Sequence, residues 1–323
     1  MTEQPTNAGV IGVGKMGQHH ARVYKEIPGV RLTGIADADD DRATQIATKY
    51  GTVSRDRDEV IDRCDVVSVA VPTRYHYEVA SEAIDAGVHV LIEKPFVRDL
   101  QEGRDIVTKA HEQDVCLQVG HIERFNPAVQ ALTDIVTDLD VIAVDVRRLG
   151  PPVDRDTKDG VVLDLMIHDI DVLTAIIDSD ISDVTAMNAR DGSHVTAQME
   201  FSNGVVGNLT ASRVTQEKIR DLAVTAQDCR VNVDYENQTV QIHRHSVPEY
   251  YENDGDLRYR HESIIERPTI ENGEPLREEL EAFVTAARDG TEPPVSGEDG
   301  LAALQIARQI EERTLADDRV VRR

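Results

Sequence analysis

A histidine flanked by carboxylates stands in an otherwise apolar stretch, VVLDLMIHDIDVL, at residues 161–173. Asp164, His168 and Asp171 are spaced i, i+4 and i+7, so an α-helix would carry them on one face. A carboxylate beside an imidazole fixes its tautomer and favours the protonated ring, as a general base requires after accepting a proton. Two other interpretations stay open: a structural His/Asp pair at a domain interface, and a divalent-metal site completed by Asp169 or Asp171. Because no further ligands stand at metal spacing elsewhere, we expect no metal.

A lysine at the end of a predicted strand is the second candidate for chemistry. The segment VLIEKPFVRDL, residues 90–100, leads from an apolar run into Glu93, Lys94 and Pro95. The carboxyl end of a strand in a parallel sheet opens on the cleft where ligands bind, so the amine and the carboxylate are placed for chemistry. The triplet alone is equally compatible with an ordinary lysine in solvent, and the surrounding elements must decide.

Residues 8–17, AGVIGVGKMG, predict a strand that turns into a helix through a dinucleotide-binding fingerprint. Gly12 permits the tight turn, Gly14 lets a pyrophosphate approach the backbone, and Gly17 allows the helix to pack closely on the strand. The phosphates then lie over the start of the helix, at Lys15, Met16 and Gly17. A GxGxxG run also occurs by chance, so the next strand is needed to support this prediction.

The next predicted strand, VRLTGIAD, ends in Asp37, which lies 20 residues beyond Gly17. At this offset a carboxylate accepts hydrogen bonds from the adenosine ribose hydroxyls. The same carboxylate repels a 2′-phosphate, and the next residue is Ala38 rather than arginine, so the sequence favours NAD over NADP. Arg42 stands close enough in sequence to leave NADP as the less favoured alternative.

Apolar strands alternate with amphipathic helices as far as residue 120. The pattern predicts helices near 39–50, 58–63, 76–87 and 99–112, and strands near 52 and at 65–71, 88–93 and 115–120. Such alternation is typical of a doubly wound parallel sheet that is covered on both faces, as in a Rossmann domain. Three strand ends carry polar or turn residues: Pro72 and Thr73 with His76, Glu93 with Lys94, and Gly120 with His121. Since ligands bind beyond the carboxyl ends of such strands, we expect these residues to converge around the nicotinamide half of the cofactor.

The pattern changes after residue 121 to alternating strands at short spacing. An alternating run at 141–150, a helix at 161–177 and several further strands predict a mostly antiparallel sheet backed by helices. Asn203-Gly204 between two alternating runs indicates a tight hairpin. Two more helices, at about 276–288 and 298–315, close the chain. We therefore predict an α/β protein with a dinucleotide-binding Rossmann domain at 1–121 and a substrate-binding and oligomerisation domain at 122–323.

Basic residues near the crossing between the predicted domains are candidates to contact a substrate. Arg124 and Asn126 could bind substrate hydroxyls or phosphate, and each is equally well explained as a structural clamp on the connection. Arg147 and Arg148 form another local positive spot.

Composition excludes several classes of function. The formal net charge of -25 argues against nucleic-acid binding, which needs a basic surface. Cys64, Cys116 and Cys229 show no pairing or metal-ligand spacing, and no apolar stretch approaches the length of a membrane span, so we expect a cytoplasmic protein. Seven lysines and 28 arginines stand against 60 acidic residues. This balance leads to the hypothesis of a surface kept hydrated in concentrated salt.

Taken together, the motifs resemble the Gfo/Idh/MocA family of NAD(P)-dependent sugar and cyclitol oxidoreductases. The resemblance rests on GVIGVGKMG, Asp37, VPTRYHYEVA, the Glu-Lys-Pro triplet and the Asp-x-x-x-His helix, in this order and across both domains. It implies an open-faced second sheet through which homodimers or homotetramers form. It also implies that the Lys-Pro peptide is cis, as it often is in this family. The implied site residues are the catalytic group of Lys94, Asp164 and His168, and the cofactor-binding loops with Pro72, Thr73, His76 and Glu93.

Within the family, GHIERFNPAV and DGVVLDLMIHDIDVL are most similar to members that oxidise C3 of UDP-N-acetylglucosamine. We therefore expect oxidation of a secondary hydroxyl of a sugar or nucleotide sugar to a ketone, with the hydride passing to NAD. His168 would take the hydroxyl proton, aided by Asp164, and the Lys94 ammonium would stabilise the alkoxide. The expected substrate contacts are Lys94, His121, Arg124, Asn126 and His168. The alternatives are a myo-inositol or simple-sugar dehydrogenase on the same scaffold and, from another class, a non-catalytic NAD-binding sensor or scaffold.

Overall fold

The computed structural model describes residues 4–152, 160–246, 249–253, 256–260 and 262–321. The chain divides into two compact units. The first comprises Met1–Phe125 and Gly273–Gln305, and the second comprises Asn126–Asn272 and Ile306–Arg323. The first unit thus includes residues 273–305, which the sequence analysis places in the second domain.

A parallel sheet lies at the centre of the first unit. Its strands are β1 Thr6–Ile11, β2 Val30–Ala36, β3 Val66–Val69, β4 His89–Glu93 and β5 Leu117–Gly120. The helices between them are α1 Lys15–Glu26, α2 Asp40–Tyr50, α3 Arg57–Ile61, α4 His76–Asp85 and α5 Leu100–Glu112. The strand order is β2-β1-β3-β4-β5, and all neighbouring strands run parallel. The predicted doubly wound parallel sheet is confirmed.

The strand predicted near residue 52 is wrong. The chain there runs along the outer edge of β2, where the Ile35 amide donates to the Val53 carbonyl (3.0 Å) and the Arg55 amide donates to the Ile35 carbonyl (2.9 Å). Only an isolated bridge between Ile35 and Ser54 results. A strand has no room to continue because Asp56 is already the N-cap residue of α3.

The second unit is built on a larger, mostly antiparallel sheet, as predicted. Its helices are α6 Pro127–Val136 and α7 Ile167–Ile176. Its strands are β6 Val141–Leu149, β7 Ile181–Ala189, β8 His194–Phe201, β9 Val206–Ser212, β10 Ile219–Ala226, β11 Cys229–Asp234, β12 Thr239–His245, β13 Glu249–Asn253, β14 Asp256–Arg260 and β15 Ser263–Glu266. The large sheet has the order β15-β12-β11-β10-β6-β9-β8-β7, and β13 pairs separately with β14. Only β6 and β9 run parallel among these described strands.

A tight hairpin joins β8 to β9, which confirms the prediction from Asn203-Gly204. Gly204 adopts a φ of +87°, a conformation that glycine reaches without strain. The Asn203 side chain accepts a hydrogen bond from the Val205 amide (3.2 Å), and the Phe201 amide donates to the Val205 carbonyl (2.9 Å). These bonds set the register in which β8 and β9 pair.

The last two helices are α8 Pro275–Asp289 and α9 Gly297–Val321. The apolar side of α8 explains why this part of the chain belongs to the first unit. Leu280 and Phe283 of α8 are buried in one cluster with Ala21 and Tyr24 of α1 and Ile35 of β2. Among the residues described, no helix is both long enough and apolar enough to cross a bilayer.

Candidate active site

The turn between β1 and α1 has the geometry that the glycine fingerprint predicts. Gly12 has a φ of +90°, and a Cβ added there would lie 2.7 Å from the Val71 amide nitrogen. A Cβ on Gly17 would overlap the carbonyl oxygen of Gly12, so only glycine lets α1 pack this closely on β1. A Cβ on Gly14 would meet no described atom within 4 Å. The space over Gly14 is therefore open to a ligand.

The first turn of α1 faces this open space with its backbone amides. Gly14 is the N-cap residue, no side chain caps the helix, and the first turn contains no acidic residue. The amides of Lys15, Met16 and Gly17 have no acceptor within the helix, because the first turn of any helix lacks one. The positive end of the helix dipole adds to their attraction for an anion. These residues fit the pyrophosphate of a dinucleotide.

Asp37 follows β2 with a nearly buried carboxylate, its side chain being 5% exposed. Its oxygens accept hydrogen bonds from the amides of Val13 (2.7 Å) and Asp39 (2.9 Å). Arg42 forms an ion pair with it, from Nη2 to Oδ1 at 2.6 Å. Burial alone would raise the pKa of Asp37, but these donors hold the pKa below its usual value. Arg42 was the reason for keeping NADP as an alternative, because it could pair with a 2′-phosphate. In the structure Arg42 is paired with the ionised carboxylate of Asp37.

The loop after β3 carries Pro72, Thr73 and His76. Pro72 is exposed and Thr73 half-buried, in a short turn closed by a hydrogen bond from the Tyr75 amide to the Pro72 carbonyl (2.8 Å). His76 is buried, with Nε2 2.8 Å from the Val71 carbonyl oxygen and Nδ1 3.1 Å from the carbonyl oxygens of Pro95 and Phe96. Both ring nitrogens of His76 therefore face the backbone, so this residue supports two loops rather than offering its ring to a ligand.

Glu93, at the end of β4, ends a buried chain of polar side chains. His20 Nε2 lies 2.8 Å from Glu93 Oε1, His20 Nδ1 lies 2.9 Å from Ser68 Oγ, and Ser68 Oγ lies 2.8 Å from the Tyr24 hydroxyl. The Lys94 amide donates to Glu93 Oε2 (3.2 Å). Burial would raise the pKa of Glu93, but the hydrogen bond from His20 and the charge of Lys94 hold the pKa below its usual value. Glu93 is an ionised, internally bonded carboxylate.

Lys94 is half-buried directly after the carboxyl end of β4. The Lys94-Pro95 peptide is cis, as the resemblance predicts. His121, at the end of the neighbouring strand β5, is fully buried. Since the strands are parallel, the Gly14 turn, Asp37, the loop after β3, Lys94 and His121 all follow carboxyl ends of one sheet. The structure thus places the predicted cofactor residues of the first unit along one edge.

Arg124 and Asn126 have partners that bear on their two open roles. Arg124 Nη2 lies 3.5 Å from Asp299 Oδ1. Asn126 is buried and caps α6, where its side-chain oxygen accepts from the Ala128 amide (3.1 Å). Its side-chain nitrogen donates to the Tyr235 carbonyl (3.1 Å). For Asn126 this geometry favours the structural clamp over direct contact with a substrate.

A π-helical turn, Val162–Met166, precedes α7 and contains Asp164. The Ile167 amide donates to the Val162 carbonyl, five residues earlier. This turn departs from the α-helical spacing predicted from the sequence, so spacing alone does not put Asp164 and His168 on one face. π-Turns are rare in proteins, and those that occur are often found at functional sites. The π-turn is therefore consistent with a functional role for this segment.

Asp164 forms an ion pair with Arg213, just beyond β9. Both side chains are half-buried, as is His168. Arg213 is a residue that the sequence analysis missed, because 49 residues separate it from Asp164 and no motif joins them. The pair connects the π-turn to the sheet of the second unit.

Asp169 is buried in an ion pair with Arg148, on β6. Arg148 Nε lies 2.9 and 3.0 Å from the two carboxylate oxygens, and Nη2 lies 2.7 Å from Oδ1. The guanidinium also lies 5.3 Å from the centre of the Tyr235 ring. Arg148 is therefore buried and paired with Asp169, so it is not the exposed positive spot that the sequence suggests. No group of three or more potential metal ligands occurs in the described part of the chain.

A Rossmann sheet with an open glycine turn and an acidic end to β2, followed by a mostly antiparallel second unit, indicates a two-domain dinucleotide-binding protein. Residues 6–121 match the oxidoreductase family with an NAD-binding Rossmann fold, and residues 142–240 match the Gfo/Idh/MocA C-terminal domain. The chain belongs to the Gfo/Idh/MocA oxidoreductase family, as the motifs predict.

Several relatives share most of the chain. UDP-N-acetylglucosamine 3-dehydrogenase of Acidithiobacillus ferrooxidans is 36% identical over 240 residues, which are 73% of this chain and 76% of that protein. Its solved structure matches with a TM-score of 0.86 at 32% identity, covering 96% of this chain and 98% of the other. Inositol 2-dehydrogenase of Rhizobium meliloti is 27% identical over 93% of this chain and 94% of its own. The prediction of a dehydrogenase is confirmed.

Proposed function

We propose that this protein oxidises a secondary sugar hydroxyl to a ketone, and that the hydroxyl is on C3 of a UDP-N-acetylhexosamine. The observation that carries the choice of substrate is the likeness to the Acidithiobacillus enzyme, whose identity exceeds that of the inositol dehydrogenase. The likeness of the solved structure covers 96% of this chain and so extends over both units.

NAD is the proposed cofactor, and when bound it supplies the acceptor for the hydride. The amides of Lys15, Met16 and Gly17 would hold its pyrophosphate, and Asp37 would accept hydrogen bonds from its adenosine ribose. The ionised state of Asp37 supports NAD over NADP, because a 2′-phosphate would meet a carboxylate. The ion pair with Arg42 supports the same choice, since that arginine is already engaged.

Three side chains are proposed to carry out the proton chemistry at the reacting hydroxyl. His168 takes the hydroxyl proton and Asp164 assists it, with Arg213 holding Asp164 in place. Lys94 stabilises the negative charge that develops on the oxygen, an effect worth about 3 to 4 kcal/mol when a well-placed donor is removed. Arg124 and His121 are proposed contacts of the substrate. Asn126 is proposed to act only structurally, as a clamp on the connection between the units' segments of chain.

Nucleotide sugars, inositols and aldoses, each incubated with NAD and followed by NADH absorbance, test the proposed reaction. We expect turnover with UDP-N-acetylglucosamine or UDP-N-acetylgalactosamine and loss of turnover in Lys94→Ala and His168→Ala. Lys109→Ala, which removes a surface pair with Asp85, and His111→Ala, an exposed residue, are the matched controls. Full turnover by both catalytic-site variants would refute the assignment.

An inositol dehydrogenase is the second candidate, because the inositol 2-dehydrogenase of Rhizobium meliloti matches 93% of this chain at 27% identity. NADH formation from myo-inositol but from no UDP-sugar would select it. A non-catalytic NAD-binding sensor remains the alternative from another class. If NAD binds but stays oxidised with every polyol and sugar, the protein is a non-catalytic sensor rather than a dehydrogenase.

The open face of the large sheet is the proposed contact between copies in a homodimer or homotetramer. It has a shallow groove of about 560 Å³ and carries complementary polar pairs, such as Asn208 with Asp145 (3.0 Å). Met187, on β7, is an exposed apolar side chain on this face. Sedimentation of the wild type and of Met187→Glu tests this proposal. A wild-type monomer at micromolar concentration would contradict it.

Adaptation to concentrated salt is proposed from the charge of -25. Self-repulsion among so many carboxylates destabilises the compact state unless salt screens it. We expect unfolding at low ionic strength and recovery in molar KCl, measured by circular dichroism. Stability that is indifferent to KCl would refute the proposal.

A further inference from the structure

Two buried histidines hold the segment that contains Lys94, one on each side of it. His20, from α1, contacts the Glu93 carboxylate through Nε2 (2.8 Å). His76, at the start of α4, contacts the carbonyl oxygens of Pro95 and Phe96 through Nδ1 (3.1 Å each). The two histidines are 0% and 1% exposed. His76 therefore contacts the backbone immediately after Lys94, and His20 contacts the side chain of the residue immediately before it.

The second ring nitrogen of each histidine is anchored to the neighbouring strand. His20 Nδ1 lies 2.9 Å from Ser68 Oγ, within β3. His76 Nε2 lies 2.8 Å from the carbonyl oxygen of Val71, two residues beyond the end of β3. Both histidines thus lie within hydrogen-bond distance of the segment after β4 on one side and of the end of β3 or the residues after it on the other.

The directions of the hydrogen bonds follow from the partners. Glu93 is ionised and can only accept, so His20 donates through Nε2. The second ring nitrogen, Nδ1, shares a hydrogen bond with Ser68 Oγ, which lies 2.8 Å from the Tyr24 hydroxyl. All three partners of His76 are carbonyl oxygens, so the neutral ring donates on one side at a time and the imidazolium donates on both.

We infer that His20 and His76 are positioning residues for Lys94, fixing the backbone on either side of it relative to β3. This inference rests on the proposed role of Lys94 in the reaction. A displacement of a reacting group by about 1 Å costs about 100-fold in rate. Replacing either histidine by phenylalanine is therefore expected to lower kcat by about 100-fold, while the Kd for NAD stays the same.

Because the two ring nitrogens of each histidine contact different partners, asparagine and glutamine variants can test each contact separately. A glutamine nitrogen reaches about as far as histidine Nε2, and an asparagine nitrogen about as far as Nδ1. His20→Gln keeps the donor to Glu93 and His76→Asn keeps the donor to Pro95 and Phe96, so both are expected to stay within about tenfold of the wild-type kcat. His20→Asn and His76→Gln keep only the contact to β3, and both are expected to lose about 100-fold.

Three measurements accompany each variant. They are kcat and KM with UDP-N-acetylglucosamine, the Kd for NAD by calorimetry, and hydrogen exchange of the backbone at residues 93–97. Exchange gives a readout that needs no substrate. The matched control is His89→Asn, because His89 begins the same strand and accepts a hydrogen bond from the Cys116 amide (2.9 Å). This control is expected to leave kcat and the exchange at 93–97 unchanged.

The outcomes separate this inference from the proposed function. If Lys94→Ala is inactive while both phenylalanine variants keep the wild-type kcat and exchange, the inference is overturned. Equal losses in the asparagine and glutamine variants at both positions would also overturn it, because a general folding defect produces that pattern. If Lys94→Ala keeps its turnover, the proposed function fails. In that event faster exchange in His76→Gln than in His76→Asn still supports the attachment, and equal exchange overturns it.

Discussion

The buried pair of Arg148 and Asp169 predicts very different costs for single and double substitutions. The Arg148 and Asp169 side chains are 6% and 2% exposed, and three N–H···O contacts of 2.7 to 3.0 Å join them. Asp169→Ala removes one partner of this buried ion pair, and breaking such a pair from one side costs about 3 to 5 kcal/mol. Arg148→Met with Asp169→Leu removes both charges, and such replacements are neutral or stabilising by about 1 to 4 kcal/mol.

The neighbouring residue on β6 supplies the control. Arg147 pairs with Asp221 at the surface, where the side chains are 56% and 35% exposed. Asp221→Ala is expected to cost about 0 to 1 kcal/mol, and this cost shrinks as salt screens the pair. The cost of Asp169→Ala is expected to persist in high salt, because burial shields the pair from ions.

Thermal unfolding followed by circular dichroism at two KCl concentrations measures these differences. For a unit of this size 1 kcal/mol corresponds to about 2 to 4 °C in Tm. We expect Asp169→Ala to lower the Tm by about 6 to 20 °C, and Asp221→Ala by about 4 °C at most. Equal shifts for the two variants, or a double variant less stable than Asp169→Ala, would refute the reasoning.

Three further predictions concern the first unit. Asp37→Ala removes the repulsion of a 2′-phosphate, so the ratio of kcat/KM for NADP over NAD should rise by about fivefold or more; an unchanged ratio would contradict the cofactor assignment. Gly14→Ala should weaken NAD binding, measured by calorimetry, without lowering the Tm, whereas Gly17→Ala should lower both because its Cβ overlaps the backbone. Burial is the main cause that lowers the pKa values of His76 and His89 from 6.5. The unfolded chain therefore binds more protons than the folded chain below about pH 6.5, and the Tm should fall as the pH drops from there towards the folded pKa values, with a smaller fall in His89→Phe.

Local patterns sufficed where one short segment determines its own geometry. The glycines at 12, 14 and 17 need particular backbone angles and clearances, and Asn203-Gly204 needs only a reversal of the chain, so both were predictable. The parallel sheet followed from runs of apolar residues between helices. In each case the cause and its effect lie within a few residues.

Contacts between distant segments could not be predicted in this way. His20 and Glu93 are 73 residues apart, and nothing in either segment identifies the other as its partner. Arg148 is buried in an ion pair with Asp169, so the interpretation of Arg148 as an exposed positive spot was wrong. The π-turn at Val162–Met166 is the exception among local features, because apolar spacing alone does not distinguish it from an α-helical turn.

The packing of α8 on α1 has a consequence for biosynthesis. The ribosome releases Tyr24 of α1 early, whereas Phe283, which belongs to the same buried cluster, is synthesised 259 residues later. The strands of the Rossmann sheet can pair during translation, but the face of α1 stays uncovered until almost the whole chain has emerged. A fragment ended at residue 121 or 125 would expose that face and aggregate, and adding residues 273–305 as a separate peptide should rescue its solubility.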